Sequence, residues 1–274
     1  MVFDTIVKRL ESMNQKIEFI KNILPSIREL ILSKTIQEVI VKDNEFDNIV
    51  TDLDILVQNT LIKSLTDEFP DTQVLGEESE EHIFSNKMWI IDPIDGTKNF
   101  FRRKEDFAIS IAYYEEMKPV FGFVYDVVKD DCYLGIVGNG AYLNNVEIPR
   151  LPIRTMNQSV LDMNLKTLYT LEEKYNANVK LVSTQVFAHR NIGSAAISMC
   201  QIARGLHDIY ISSHLKLWDY AASSIVLKEV GGEVYFPFEE KKELNVKSVF
   251  LFATSSKEVY RDLNTLLYGE SNES

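Results

Sequence analysis

Three apolar runs of strand length follow one another between residues 107 and 137: "FAISIAYY", "VFGFVYDVV" and "DCYLGIV". They are rich in aromatic and β-branched residues, and turn-forming polar residues separate them. Runs this short and this close cannot each bury themselves as helices. They predict an antiparallel meander, so at least one sheet with a buried face.

The flanks read differently. In "FDTIVKRLESMNQKIEFIKNIL" the apolar residues Phe3, Ile6, Val7, Leu10, Met13, Ile17, Ile20 and Leu24 recur at helical spacing. Pro25 predicts a break or kink before "SIRELIL" resumes as helix. A second helix fits "TDLDILVQNTLIKSLTDEF", closed by Pro70. "TQVLGEE" and "MWIIDP" are short apolar runs stopped by acids, and "GNGAYLNN" is turn punctuation.

Beyond residue 159 the chain alternates. "SVLDMN" predicts a strand, "LKTLYTLEEKY" a helix and "VKLVST" a strand. "GSAAISMCQIARG" predicts a helix, "DIYI" a strand, "WDYAASSIVLKEVGG" a helix and "SVFLFAT" a strand, with a final helix over 256–268. The class is therefore α+β, with sheets layered against helices. The expected organisation is a single domain over 1–274, with lobes of about 1–150 and 151–274 meeting near the two prolines of "IPRLPI".

The net charge of −12 repels nucleic-acid phosphates at long range. A small phosphorylated ligand is still allowed, because a bound cation inverts the local field. Cys132 and Cys200, outside any C-x-x-C pair, predict a reducing compartment. The first residues carry early charges and no long apolar stretch, and no run approaches the about 18 apolar residues of a membrane span. The expectation is a cytoplasmic protein without nucleic-acid or membrane partners.

The chemistry concentrates in "MWIIDPIDGTKNF", residues 88–100. An apolar strand ends in Asp92, Pro93 turns the chain, and Asp95 follows three residues on. Two carboxylates aimed at one centre either share a proton or hold a cation. All-oxygen donors favour Mg²⁺, Ca²⁺ or Mn²⁺. The scattered histidines, His82, His189, His207 and His214, argue against zinc. Gly96 lets main-chain N–H groups approach a ligand, and a helical turn starting at Thr97 would favour an anion there. Glu77 and Glu78 after a glycine, and Asp219 at a helix start, are the other acids singled out by position. Taken singly, these are a solvated loop pair and a helix cap.

"GEES" at 76–79, "WIIDPIDGTKNF" at 89–100 and "WDYAASSIVLKEVGG" at 218–232 resemble, in order and spacing, the signature blocks of the inositol monophosphatase family. "IVTDLD" at 49–54 and "GSAAISMC" at 193–200 extend the resemblance. It implies a layered α-β-α-β-α sandwich of the sugar-phosphatase type. It also implies Mg²⁺-dependent, Li⁺-inhibited hydrolysis of a small phosphate monoester, with myo-inositol 1-phosphate as the leading substrate. Two or three Mg²⁺ per site, Mn²⁺ as a substitute, and a homodimer belong to the same implication. Carried over by position, Glu77, Asp92, the Ile94 carbonyl, Asp95 and Asp219 are metal ligands. Glu77 also helps activate water, and Thr97, polarised by Asp54, orients it. Asp95, Gly96, Thr97, Gly193, Ser194, Ala195 and Ser212 carry over as substrate contacts, with Glu78 and Lys98 as further candidates.

Three departures bear on the substrate. Ser212 stands where members with strong inositol-phosphate activity carry an acid, seven residues before the W-D aspartate. Asn48, preceded by Asp47, stands where the family has an aspartate. Lys98 gives "DGTK", a string more frequent in the nucleotide 3'-phosphatase branch, and the basic "RRKED" at 102–106 follows it. Alternatives are therefore fructose-1,6-bisphosphatase activity or 3'-phosphoadenosine 5'-phosphate phosphatase activity on the same fold. A catalytically silent regulatory subunit is the alternative of a different class. A haloacid-dehalogenase phosphatase needs aspartates two apart, whereas these are three apart.

Overall fold

A computed structural model of the chain describes residues 2–34, 39–41, 49–239 and 244–269. It divides into two compact units, Met1–Val57 and Gln58–Ser274. Asn48 and Asp47 lie outside the described residues.

In the first unit, α1 (Val2–Ser33) runs through Pro25 as one helix, so of the expected break or kink the break does not occur. A proline forfeits one main-chain hydrogen bond. Here the buried stripe of Ile17, Ile20, Leu24, Ile27 and Ile31 continues in helical register on both sides of it. Burial of that face outweighs the lost bond. β1 (Val39–Val41) pairs antiparallel with β2 (Ile49–Thr51), and α2 (Asp52–Glu68) starts immediately after.

The second unit holds two sheets. β3 (Gln73–Gly76), β4 (Lys87–Asp95), β5 (Ala108–Glu115), β6 (Lys118–Asp126), β7 (Asp131–Ile136), β8 (Gly140–Leu143) and β9 (Val146–Glu147) form the first, in chain order. Only β3 and β4 are parallel; the rest is the expected meander, extended by a hairpin at Asn144–Asn145. Both asparagines have positive φ, as a tight hairpin turn requires. α3 (Thr97–Arg102) interrupts the meander between β4 and β5.

The second sheet has the order β11 (Ala188–Arg190), β10 (Val160–Met163), β12 (Ile209–Leu215), β14 (Val249–Thr254), β13 (Glu233–Tyr235). α4 (Leu165–Tyr175), α5 (Val179–Gln185), α6 (Ala195–Ala203), α7 (Leu217–Glu229) and α8 (Lys257–Tyr268) complete the unit. "VKLVST", expected as a strand, is α5. Asn178 caps it by accepting from Leu181 N–H at 3.0 Å, and Val179 and Val182, one helical turn apart, are its buried residues. The capping bond and the i, i+3 burial override the β-branched composition.

Strand alternation sorts the layers. Tyr210, Leu251 and Ala253 join one core with α6, α7 and the first sheet. Their neighbours Ile209, Ile211, Phe250 and Phe252 join another with α4, α5 and α8. Sheet, helices, sheet, helices is thus the order within residues 58–274, an α+β layered fold. α7 lies so close to the first sheet that a Cβ on Gly122 would sit 2.7 Å from the Ala222 backbone, and one on Gly135 2.6 Å from Val226 N. No other residue fits either position without moving the helix.

Candidate active site

β4 is buried along nearly its whole length, and its register explains why two acids occupy its end. Asp92 pairs with Ser110, and Asp95 with Ala108. In a regular strand, residues three apart face opposite ways. The irregularity between Asp92 and Asp95 supplies one extra residue, and Ser110 and Ala108 share a face. Both carboxylates are therefore on the face that carries Met88 and Ile90 and is covered by α6 and α7. A β-bulge, closed by Ile94 N–H donating to Asp92 Oδ1 at 3.0 Å, re-aims the second side chain.

Two other elements bring acids to this point. Glu77 follows β3, and its N–H extends the ladder to the Ile91 carbonyl at 3.2 Å. Asp219 lies in the first turn of α7, where its carboxylate accepts from Lys216 N–H at 2.7 Å. It caps the helix and still faces the other acids. Glu77, Asp92 and Asp219 each offer an oxygen, all within 4.8 Å of one another.

The electrostatics follow. Burial, then the Glu77, Asp95 and Asp219 carboxylates, pushes Asp92 well above the usual carboxylate range. Burial, then Glu77 and Asp95, does the same to Asp219. A group of like charges, Asp92 buried and Glu77 and Asp219 half-buried, with oxygen-only donors fits a hard divalent cation, which would supply the missing compensation. The donor set therefore matches the metal that the sequence implies.

Asp95 stands outside this trio. Its carboxylate accepts from Ser194 Oγ, from Ala196 N–H at 2.7 Å and from Ala195 N–H at 3.3 Å. Burial raises its pKa to about 6, and these three donors hold it from rising further. Ser194 is also the N-cap of α6, accepting from Ile197 N–H at 3.2 Å. Gly193 precedes it with φ of 85°.

α3 does begin at Thr97, with Gly96 as its N-cap at φ 96°. A Cβ on Gly96 would lie 3.1 Å from the Asp106 carbonyl and 3.2 Å from Ser194 Cβ. The Ile94 carbonyl accepts from Thr97 Oγ1 at 3.1 Å. Glu78 donates its N–H to Gln58 Oε1 at 2.8 Å. Lys98 is exposed on α3, and Ser212 is buried in β12. In the first unit, Asp54 is buried and accepts from Thr51 N–H at 2.9 Å and from Thr51 Oγ1.

Sequence reasoning missed the residues that tie these loops together. Asn99 Nδ2 donates to the carbonyls of Asp106, at 2.9 Å, and Ile192, at 2.7 Å, joining α3 to the approach to α6. Asp162 accepts from Ile192 N–H at 3.3 Å and Ser198 Oγ at 2.7 Å. An acid at the buried centre of "SVLDMN" was the available signal. In the basic 102–106 segment, Arg103 pairs with Glu105 and Asp106, and Lys104 sits 4.0 Å from the Phe100 ring centroid. Those two charges are engaged locally. A cavity of about 430 Å³ lined by Tyr220, Ser224 and Lys228 shares no residue with the acidic cluster, so the chemistry and not the volume marks the site.

Residues 12–270 match the inositol monophosphatase family. The chain belongs to that family. The inositol-1-monophosphatase of Bacillus subtilis (strain 168) is 36% identical over 190 residues, covering 68% of this chain and 71% of the relative. Staphylococcal IMPase-I complexed with products superposes with a TM-score of 0.80 at 25% identity, over 96% of each chain. A 2′AMP-bound SaIMPase-II superposes at 0.77 with 27% identity, over 92% of this chain and 93% of that one. As a member of the inositol monophosphatase family, this protein is a phosphoric monoester hydrolase. Among the described residues, no helix is long and apolar enough to cross a membrane.

Proposed function

We propose that the protein hydrolyses myo-inositol 1-phosphate to inositol and phosphate, with Mg²⁺ held by Glu77, Asp92 and Asp219. The single observation behind this reading is the convergence of those three carboxylates within 4.8 Å, two of them with pKa values raised well above normal. Asp95 and the Ile94 carbonyl complete the ligand set. Two or three Mg²⁺ are accommodated, Mn²⁺ substitutes and Li⁺ inhibits. When bound, the ions neutralise phosphate charge, acidify water and stabilise the leaving oxygen.

The chain's own groups do the rest. Main-chain N–H groups of Gly96 and Thr97 hold the phosphate, and Asp95, Gly193, Ser194, Ala195 and Ser212 are the further substrate contacts. The Thr97 hydroxyl orients the attacking water, and Glu77 accepts its proton. The water oxygen bonds to phosphorus in line as the ester P–O bond breaks, and the alcohol leaves with a proton from solvent. The sequence offers no activated Ser, Cys or His nucleophile, which favours direct attack over a covalent enzyme intermediate.

A nucleotide phosphate is the second reading. Ser212 lacks the charge that grips polyol hydroxyls, and the solved relative with bound 2′AMP supports it. Phosphate release with Mg²⁺ from inositol 1-phosphate, fructose 1,6-bisphosphate, 2′-AMP and 3′-phosphoadenosine 5′-phosphate, each with an EDTA control, tests both. The highest kcat/KM on inositol 1-phosphate supports the first reading. A preference of tens-fold for a nucleotide replaces it, and no EDTA-sensitive release from any substrate overturns both in favour of a silent binding protein. The family resemblance favours a homodimer, which light scattering tests.

A further inference from the structure

Glu77 and Asp219 reach the cluster on different elements, and one side chain links those elements. His82 Nε2 lies 3.1 Å from the Gly76 carbonyl oxygen. A carbonyl only accepts, so Nε2 carries the proton and donates. The same imidazole stacks on Trp218, with ring centroids 5.0 Å apart and planes inclined by 20°. Gly76 directly precedes Glu77, and Trp218 directly precedes Asp219. One ring therefore touches the residue before each of two carboxylates.

Residues 77–86 contain no helix or strand; Glu77 N–H reaches the Ile91 carbonyl at 3.2 Å and Glu78 N–H reaches Gln58 Oε1 at 2.8 Å, and His82 fastens the segment beyond them back to Gly76. The Trp218 carbonyl is held by Ser110 Oγ at 3.1 Å, but its buried indole Nε1 has no hydrogen-bond partner among the described residues. The indole ring is thus oriented by packing, and His82 supplies a stacked face of that packing.

We propose that His82 is a positioning residue that sets the spacing between Glu77 and Asp219 and so tunes the affinity of the cluster for a divalent cation. The proposal rests on the reading of that cluster as a cation site. Groups outside a ligand shell that orient its members change metal affinity by about 10- to 100-fold when removed. His82→Ala loses both contacts. His82→Gln keeps a donor for the Gly76 carbonyl without the ring, and His82→Phe keeps the ring without the donor.

The test is calorimetric titration of the full-length metal-free protein with Mg²⁺, alongside metal-free melting curves. His82→Ala should weaken Mg²⁺ binding by about 10-fold or more, with His82→Gln and His82→Phe each recovering part of the loss. Unchanged Mg²⁺ affinity in His82→Ala with a lower metal-free melting temperature would overturn the proposal, because lost packing alone produces that pattern. Asp92→Asn separates the two readings. If the wild type binds Mg²⁺ and Asp92→Asn does not, the cation site stands and the His82 variants judge the proposal by themselves. If the wild type binds no Mg²⁺, the cation site and the proposal fall together.

Discussion

Ser194 Oγ donates to the Asp95 carboxylate across 99 residues of sequence and, through the same oxygen, caps α6 by accepting from Ile197 N–H. One hydroxyl thus fastens the end of β4 to the first turn of the helix packed over it.

Ser194→Ala removes a helix cap and a donor to a buried carboxylate at once. Losing the cap costs about 1 kcal/mol, and a hydrogen bond to a charged group about 1.5–3 kcal/mol. Urea unfolding should show a loss of about 2 kcal/mol or more, and Ser194→Thr should restore most of it.

Asp92→Asn should abolish phosphate release while leaving the fold intact. The strand is held by its ladder and apolar neighbours, and the amide removes a buried charge that its neighbours repel. The metal-free variant should therefore melt at or above the wild-type temperature at pH 8 and should lose the Mg²⁺-induced shift. Near-wild-type turnover in Mg²⁺ would contradict the assignment of Asp92 as a ligand.

The acidic cluster makes stability depend on pH in a defined direction. Burial raises the Asp95 pKa from 3.8 to about 6 in the folded chain. The folded state then holds its proton more tightly than the unfolded state does. The associated stability is fully present below about pH 4 and is lost as pH rises through about 6; the upward shifts of Asp92 and Asp219 act in the same sense. Mg²⁺ needs the deprotonated carboxylates and compensates them. Scanning calorimetry should give a larger Mg²⁺-induced rise in Tm at pH 8 than at pH 5. An equal rise at both would show that these acids do not bind the ion.

Gly96→Ala tests the turn between the cluster and α3. At φ 96° a Cβ is strained, and it would crowd the Asp106 carbonyl at 3.1 Å and Ser194 Cβ at 3.2 Å. Backbone strain of this kind costs of order 1–3 kcal/mol. The variant should unfold at lower urea by about that amount, with KM for the phosphate ester rising more steeply than kcat falls.

Much of the fold was legible because its signals are local. The meander, the terminal helices and the start of α3 after Gly96 follow from periodicity and punctuation. Two expectations failed where local signals conflict with packing. Pro25 does not interrupt α1, because a buried stripe spans it, and the Val-rich 179–184 segment is helical, because Asn178 caps it and Val179 and Val182 share one face. The acids were legible as residue types on apolar strands and at helix starts. The contacts that hold them, Ser194 on Asp95, Asn99 between two loops and His82 on Trp218, were not. A serine, an asparagine or a histidine carries no local sign of a partner tens of residues away.

By itself the sequence determined the class of fold, the family blocks and which acids could bind a cation, since strand and helix periods and carboxylate chemistry are properties of short segments. Tertiary structure decided which acids meet. The bulge in β4 turns Asp92 and Asp95 to one face, and α7 delivers Asp219 to Glu77 and Asp92, while α6 claims Asp95 for its own first turn. Those choices depend on register and on the seating of helices against a sheet, and both are set only when distant segments pack.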